Sequence, residues 1–271
     1  MKNRRVLRPS GVITLTTDFG LRDTFVGQMK GVILSINRCA SIVDITHEIE
    51  QYSVDKANYL ISGFYRYFPP KTIHVGIVDP GVGSMRRGLI IDYDGHFFIG
   101  PDNGIFSSIL RHRDKNKVVQ ITNTKYTLRS HSPTFQGRDV FAPVAGWLSI
   151  GIPIDDFGSP IDDPVVLDLE VPRFEQNEIH GRVVLIDRFG NCITNIKSDH
   201  IKDWDFEVVF RDKVLEPSSY YEESRDKGIS CIINSSGFLE LFVYRGSASK
   251  TYDIKESQPI TVRLLKNRSG R

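Results

Sequence analysis

Thr72-Ile-His-Val-Gly-Ile-Val-Asp-Pro-Gly-Val-Gly-Ser-Met-Arg-Arg87 decides the fold, because an apolar run empties into a glycine-rich turn carrying one carboxylate and two guanidiniums. A short apolar run bounded by turn residues reads as a strand buried on both faces, the kind found in parallel sheets. Asp79 then stands at its carboxyl end, where open α/β sheets bind ligands. The glycines at 81, 83 and 88 do not make a dinucleotide fingerprint, since Arg86 occupies the third glycine's place. Asp79 and Arg86 form either an ion pair that only orders the turn or a pair that does chemistry.

Working outward, strand and helix patterns alternate. Residues 12–17 read as a strand, and 25–36 as a helix with Asp23 as its N-cap. A strand at 41–45 precedes a helix that Ser53 caps and Pro69-Pro70 stops. Strands at 88–93 and 96–99 flank Asp94-Gly95, a strong hairpin signal. Helices at 103–112 and 139–150 and a strand at 118–122 complete an α/β N-terminal domain over residues 10–165, a largely parallel sheet with helices on both faces. Residues 160–172, rich in Pro and Asp, read as a linker. Beyond it, six alternating runs (181–186, 192–196, 206–210, 229–233, 238–244 and 259–265) predict a small all-β C-terminal sandwich or barrel over residues 173–268.

The 271 residues are 40% hydrophobic and 25% charged, as in ordinary globular protein, and 35 basic against 33 acidic residues leave a formal charge of only +2. That balance gives no electrostatic footprint for nucleic acid. The basic clusters at both ends read as solvated tails. Neither a signal-peptide core nor a run of about 18 apolar residues is present, so no membrane segment is expected. Three cysteines without CxxC spacing fit a reducing cytoplasm. No histidine has metal-ligand spacing, and no cofactor or metal is expected.

Four more segments carry polar side chains where chemistry would need them. Asp18, after the first strand, is either a turn residue or a holder of a vicinal diol. Thr134 and Gln136 precede Arg138 and Asp139, which alone could be a surface charge and an N-cap. The turns at 187–195 and 234–238 each read as hairpins, but two such turns in one small β domain suggest a binding rim.

Together Leu15-Thr-Thr-Asp-Phe-Gly20, Val43-Asp-Ile-Thr-His47, Val78-Asp-Pro-Gly-Val-Gly83, Gly100-Pro-Asp-Asn-Gly104, Thr134-Phe-Gln-Gly-Arg-Asp139, Ile186-Asp-Arg-Phe-Gly-Asn191 and Asn234-Ser-Ser-Gly237 resemble the S-adenosyl-L-methionine hydroxide adenosyltransferases. These hydrolases form adenosine and are relatives of the fluorinase and chlorinase. The resemblance implies S-adenosyl-L-methionine as substrate and a homotrimer with its active site at the subunit interface. By motif, Asp18 would hold the ribose hydroxyls and Tyr52 would pack near the sugar or adenine. Asp23, Asp187 and Ser235 would take the methionine ammonium and carboxylate, with Phe189 and Asn191 on adenine.

Around the attacking water the family carries Asp, Arg and His; Asp79 and Arg86 match, and the histidine is Gln136 here. An amide oxygen can hold a water but does not take its proton, which leaves Asp79 as the base. On that reading a histidine restored at 136 raises kcat. A halogenase and an impaired S-adenosyl-methionine or adenosine binder are the alternatives.

Overall fold

In a computed structural model describing residues 10–111, 116–129, 132–168 and 171–267, the chain forms two compact units that divide at residues 169 and 170. The N-terminal basic cluster at residues 2–8 and residues 268–271 of the C-terminal cluster at 266–271 lie outside the described residues, as does His112.

The first unit begins β1 (Val12–Thr17), α1 (Phe25–Ile36), β2 (Ser41–Thr46), α2 (Val54–Phe64), β3 (Ile73–Ile77). Then come β4 (Gly88–Tyr93), β5 (His96–Pro101), α3 (Ser107–Leu110), β6 (Lys117–Ile121), α4 (Ala142–Ser149) and β7 (Gly158–Pro160). The strands lie in the order β2-β1-β3-β5-β4-β6-β7. Pairing is parallel from β2 through β5 and antiparallel from there outward, so β1, β2, β3, β5 and β6 all run one way. Met29 and Ile33 of α1 and Val144 and Ala145 of α4 cover one face, while Ala57 and Ile61 of α2 and Ile109 of α3 cover the other. Each face buries its own apolar cluster, which is why β3 is buried along its whole length.

This topology fixes where a ligand can sit. The chain leaves β1 toward β2 on one side and returns to β3 on the other, so the order reverses between β1 and β3. Thr17 pairs with Ile77 in the register of these strands. Their next polar residues, Asp18 and Asp79, therefore emerge at the carboxyl edge of the switch point, the crevice where open α/β sheets take their ligands.

Several local expectations change. Helix α1 starts at Phe25 with Thr24 in the N-cap place, and Asp23 is exposed rather than capping it. Ser53 precedes α2 but makes no side-chain cap bond. The helix expected at 103–112 is a single turn, because Asn103 spends its side chain on the Val78 carbonyl (2.8 Å) and on the Ile105 N–H (3.2 Å). Residues 137–141 form a π-helical turn that leads into α4, and Asp139 sits within it rather than capping it. The two units divide within the 160–172 segment expected to link them, and its first part is tied down: Arg87 grips Asp163 (2.6 Å), and the Val165 N–H donates to Asp102 (2.7 Å). The Asp94-Gly95 hairpin has φ of 52° and 78°, the pair of positive values that its two-residue turn requires.

The named strands of the second unit all pair antiparallel. Strands β8 (Arg173–Glu175), β9 (Glu178–Ile186), β10 (Cys192–Lys197), β11 (Trp204–Phe210), β12 (Lys213–Leu215), β13 (Ile229–Ile233), β14 (Phe238–Val243) and β15 (Pro259–Asn267) form one sheet. Its order is β12-β11-β15-β9-β10-β14-β13, with β8 also on β9. A bridge from Pro217 to Cys231 links the two ends, so the sheet nearly closes into a barrel around Ile179, Val208, Leu241 and Val262. Between β14 and β15 lies α5 (Ala248–Thr251).

Two buried histidines make the first unit acid-sensitive. His74 is 2% exposed, bonded to Thr14 Oγ1 (2.8 Å) and His96 (3.2 Å). Burial, with the neighbouring His96, pushes its ring down to about 3. His74 thus stays neutral when folded but takes a proton when unfolded below about 6.5. Its stabilising contribution is complete above that pH and is lost as pH falls toward 3. Between pH 7.5 and 5 linkage gives a loss of about 2 kcal/mol from this ring alone. Chemical denaturation at the two pH values should show it, and His74→Gln should flatten the slope; an equal slope in the variant would count against the assignment.

Candidate active site

At the switch point the Asp79 turn and the loop before α4 come together. Gly83 makes this possible: its φ is 82°, and a Cβ there would lie 2.6 Å from the Pro133 carbonyl oxygen, so only glycine lets the two loops touch. Arg86 Nε donates to both oxygens of Asp79 (3.0 and 2.9 Å), and its Nη2 donates to Asp79 and to Gln136 Oε1. Nη1 donates to the Arg87 carbonyl (3.2 Å), and the guanidinium lies 5.2 Å from the Phe141 ring centre. The Asp79 and Arg86 side chains are 5% and 10% exposed. All three residues expected to hold a water are thus joined by one guanidinium.

Its contact with Gln136 sets the polarity of the amide. A guanidinium only donates, so Oε1 must face Arg86, and the Nε2 donor is what Gln136 can offer a ligand. The amide oxygen expected to hold a water already accepts from Arg86, with one lone pair left. The loop beneath is rigid. Arg138 is paired to the fully buried Asp139 (2.6 Å) and bonded to Gln28 (2.9 Å), and the Ser132 N–H donates to Asp139 (2.6 Å). A π-turn at this place is itself a mark of a functional site.

Beside these groups is a cavity of about 150 Å³ lined by Phe19, Phe25, Asp79, Val82, Phe135 and Gln136 among others. That is room for roughly five waters at liquid density. Phe19, Phe25 and Phe135 pack on one another with ring centres 5.1 to 5.9 Å apart. Such walls present aromatic faces to a cation. The cavity thus carries one carboxylate able to accept a proton and one amide N–H able to donate to an oxygen.

Asp18 lies at the same edge. Its Oδ2 accepts the Tyr52 N–H (3.0 Å), and Phe19 carries the chain from Asp18 into the cavity wall. Tyr52 has φ of 67° and is 69% exposed, an uncommon conformation for a bulky residue. Asp23 is exposed in the turn before α1.

In the second unit Asp187, Phe189 and Asn191 line a pocket of about 620 Å³ with Tyr221, Tyr244, Arg245 and Ser247. Asp187 accepts the backbone N–H of Phe189 and Asn191 (2.8 and 2.9 Å) and Asn191 Nδ2 (3.2 Å). This leaves Asn191 a carbonyl oxygen and one N–H for a heterocycle, and exposed Phe189 a face for it to stack on. Gly190, at φ of 83°, lets the turn approach Ser247 more closely than a Cβ would permit. Ser235 is not among the pocket's walls; it stands exposed on the turn between β13 and β14.

That turn is connected to the pocket all the same. Asn234 and Tyr221 both donate to buried Glu240 (3.1 and 3.0 Å). Burial pushes the Glu240 carboxyl upward and the Tyr221 hydroxyl up to about 12. Sequence reasoning missed the aromatic cavity walls, Tyr221, Tyr244 and Glu240, because each looks like an ordinary core or strand residue. Among the described residues no cluster of His, Cys, Asp or Glu is placed to hold a metal, and no helix is long and apolar enough to cross a membrane.

Comparison with known proteins covers nearly the whole chain. Residues 13–158 match the family model described as SAM hydroxide adenosyltransferase N-terminal domain, and residues 181–261 match the corresponding C-terminal domain. The (R)-S-adenosyl-L-methionine hydrolase of Methanocaldococcus jannaschii is 37% identical over 90% of this chain and 92% of its own. An uncharacterised conserved protein from Thermotoga maritima has the same fold, with a TM-score of 0.86 and 32% identity over 93% of this chain and 99% of that one. More distant is the fluorinase of Actinopolyspora mzabensis, 23% identical over 93% of this chain and 96% of its own.

Proposed function

The chain belongs to the SAM hydroxide adenosyltransferase family, and on that premise we propose that it hydrolyses S-adenosyl-L-methionine to adenosine and L-methionine at the Asp79, Arg86 and Gln136 site. The observation that carries this reading is the single guanidinium joining Asp79 to Gln136 beside an aromatic cavity. A water there attacks the ribose C5′; the new C–O bond forms as the C5′–S bond breaks, and its proton passes to Asp79 and then to solvent. Methionine leaves as a neutral thioether, so no acid is needed. The demand falls on the nucleophile, which has to be oriented, desolvated and relieved of its proton. Aromatic walls favour a sulfonium and exclude competing water.

Asp18 holds the ribose diol with Tyr52 beside the sugar, while Asp23, Asp187 and Ser235 take the methionine end and Phe189 and Asn191 the adenine. From the family resemblance we also assign a homotrimer with its active site at the subunit interface. Light scattering on the purified protein tests the subunit number. Cys39, Cys192 and Cys231 are unpaired, in keeping with a cytoplasmic setting.

A carboxylate on the cavity disfavours a halide there, which argues for water over halogenation. Incubation with each sulfonium epimer of S-adenosyl-methionine, in chloride or fluoride buffer, separates the outcomes by chromatography. Adenosine and methionine in equal amounts are expected. A halogenated nucleoside would make it a halogenase, and tight binding without product would make it a binding protein.

A further inference from the structure

Beyond the residues that meet substrate, the turn carrying Asp18 is held by one residue with no role so far, His47. It is 2% exposed at the end of β2. Its carbonyl accepts the Gly20 N–H at 2.7 Å. Its ring Nδ1 lies 2.9 Å from Thr17 Oγ1, and that hydroxyl also accepts the Phe19 N–H at 3.2 Å. Both flanks of Asp18 are therefore fixed from the same side chain and backbone.

The proton order follows from this chain of contacts. The Asp44 carboxylate beside Nε2 favours the ring proton on that nitrogen, and in that tautomer Nδ1 accepts the Thr17 hydroxyl proton. The ring proton then sits on Nε2, 3.0 Å from Asp44 Oδ1 though not aligned as a hydrogen bond. Lys30 Nζ holds the other oxygen of Asp44 at 2.5 Å. Burial opposes the charge on Asp44, but Lys30 and His47 outweigh it and hold the carboxyl below its ordinary range. His47 touches neither Asp18 oxygen in this arrangement, so both stay available to Tyr52 and to a ligand.

We propose that His47 is a positioning residue for substrate selection: through Thr17 and Gly20 it sets the distance between the diol-holding carboxylate of Asp18 and the cavity that Phe19 and Asp79 line. This rests on the reading of Asp18 as the ribose-diol holder. A loosened turn lets Asp18 drift from the diol and leaves the cavity's own chemistry in place. The hydroxyls of the sugar then cease to matter to the rate.

The test compares kcat/KM for S-adenosyl-methionine with that for its 2′-deoxy and 3′-deoxy analogues. Wild type should prefer the ribose by tenfold or more, and Asp18→Ala should lose that preference. His47→Ala should cut it to threefold or less, mainly through KM. His47→Asn, whose amide oxygen can accept from Thr17, should recover part of it. Thr17→Val breaks the same link from the other side and decides the matter if His47→Ala does not fold. Full discrimination in folded His47→Ala and Thr17→Val overturns the proposal while leaving Asp18 intact. Absence of discrimination in wild type overturns the Asp18 reading, and the proposal with it.

Discussion

Asp79→Asn is expected to lower kcat about 1,000-fold, within the range that loss of a positioned base produces, while S-adenosyl-methionine still binds within a few-fold of wild type. The substitution keeps the shape of the side chain and an oxygen for Arg86, but removes the group able to take a proton from water. In free-energy terms the loss is about 4 kcal/mol of barrier. It also leaves the Arg86 charge without its counter-ion in a largely buried position, and breaking such a pair commonly costs roughly 3–5 kcal/mol of stability. A melting curve has to accompany the kinetics, so that loss of fold is not read as loss of base. Single-turnover formation of adenosine at saturating substrate is the decisive measurement. A well-folded Asp79→Asn protein with near-normal kcat would remove Asp79 from the chemistry and leave the water to be activated by position alone.

How much of this site could be read in advance depended on how local its signals were. The strand into Asp79, the hairpin at Asp94-Gly95 and the six β runs of the second unit are short-range patterns, so the sequence exposed them directly. Arg86 and Asp18 were legible as polar residues on turns after strands, where a sheet presents its ligands, and Gln136 as part of a polar, motif-bearing segment ahead of a helix. The one-turn α3 and the π-turn at 137–141 were not. Asn103 and Asp139 there bond to residues distant in the chain or to turn backbone, and such bonds override helix propensity without changing periodicity. Glu240 and His47 were hidden for a related reason: a carboxylate within an apolar strand, or a histidine at a strand's end, shows its role only when its partners are known. The Pro- and Asp-rich segment was legible as the link between the units, but not the hold of Arg87 on Asp163 and of Asp102 on the Val165 backbone, whose partners are distant in the chain.

At Gln136 the structure leads to a different prediction. A histidine at 136 was expected to act as a base and raise kcat. Yet Arg86 donates to whatever acceptor stands there, and an imidazole nitrogen that accepts from Arg86 leaves its other nitrogen protonated and facing the water. Such a ring does what the Gln136 amide does: it donates to the oxygen that loses its proton to Asp79. Gln136→His should therefore change kcat by less than about threefold, with no new acid limb in the pH–rate profile near 6.5, the ordinary histidine value. Gln136→Leu, close in size but unable to donate, should cost about 100-fold, the scale of losing one donor to a developing oxyanion. The two variants together discriminate. A large rise in Gln136→His with an acidic limb would show the ring working as a base and Arg86 released from it, whereas a wild-type rate in Gln136→Leu would remove residue 136 from contact with the nucleophile.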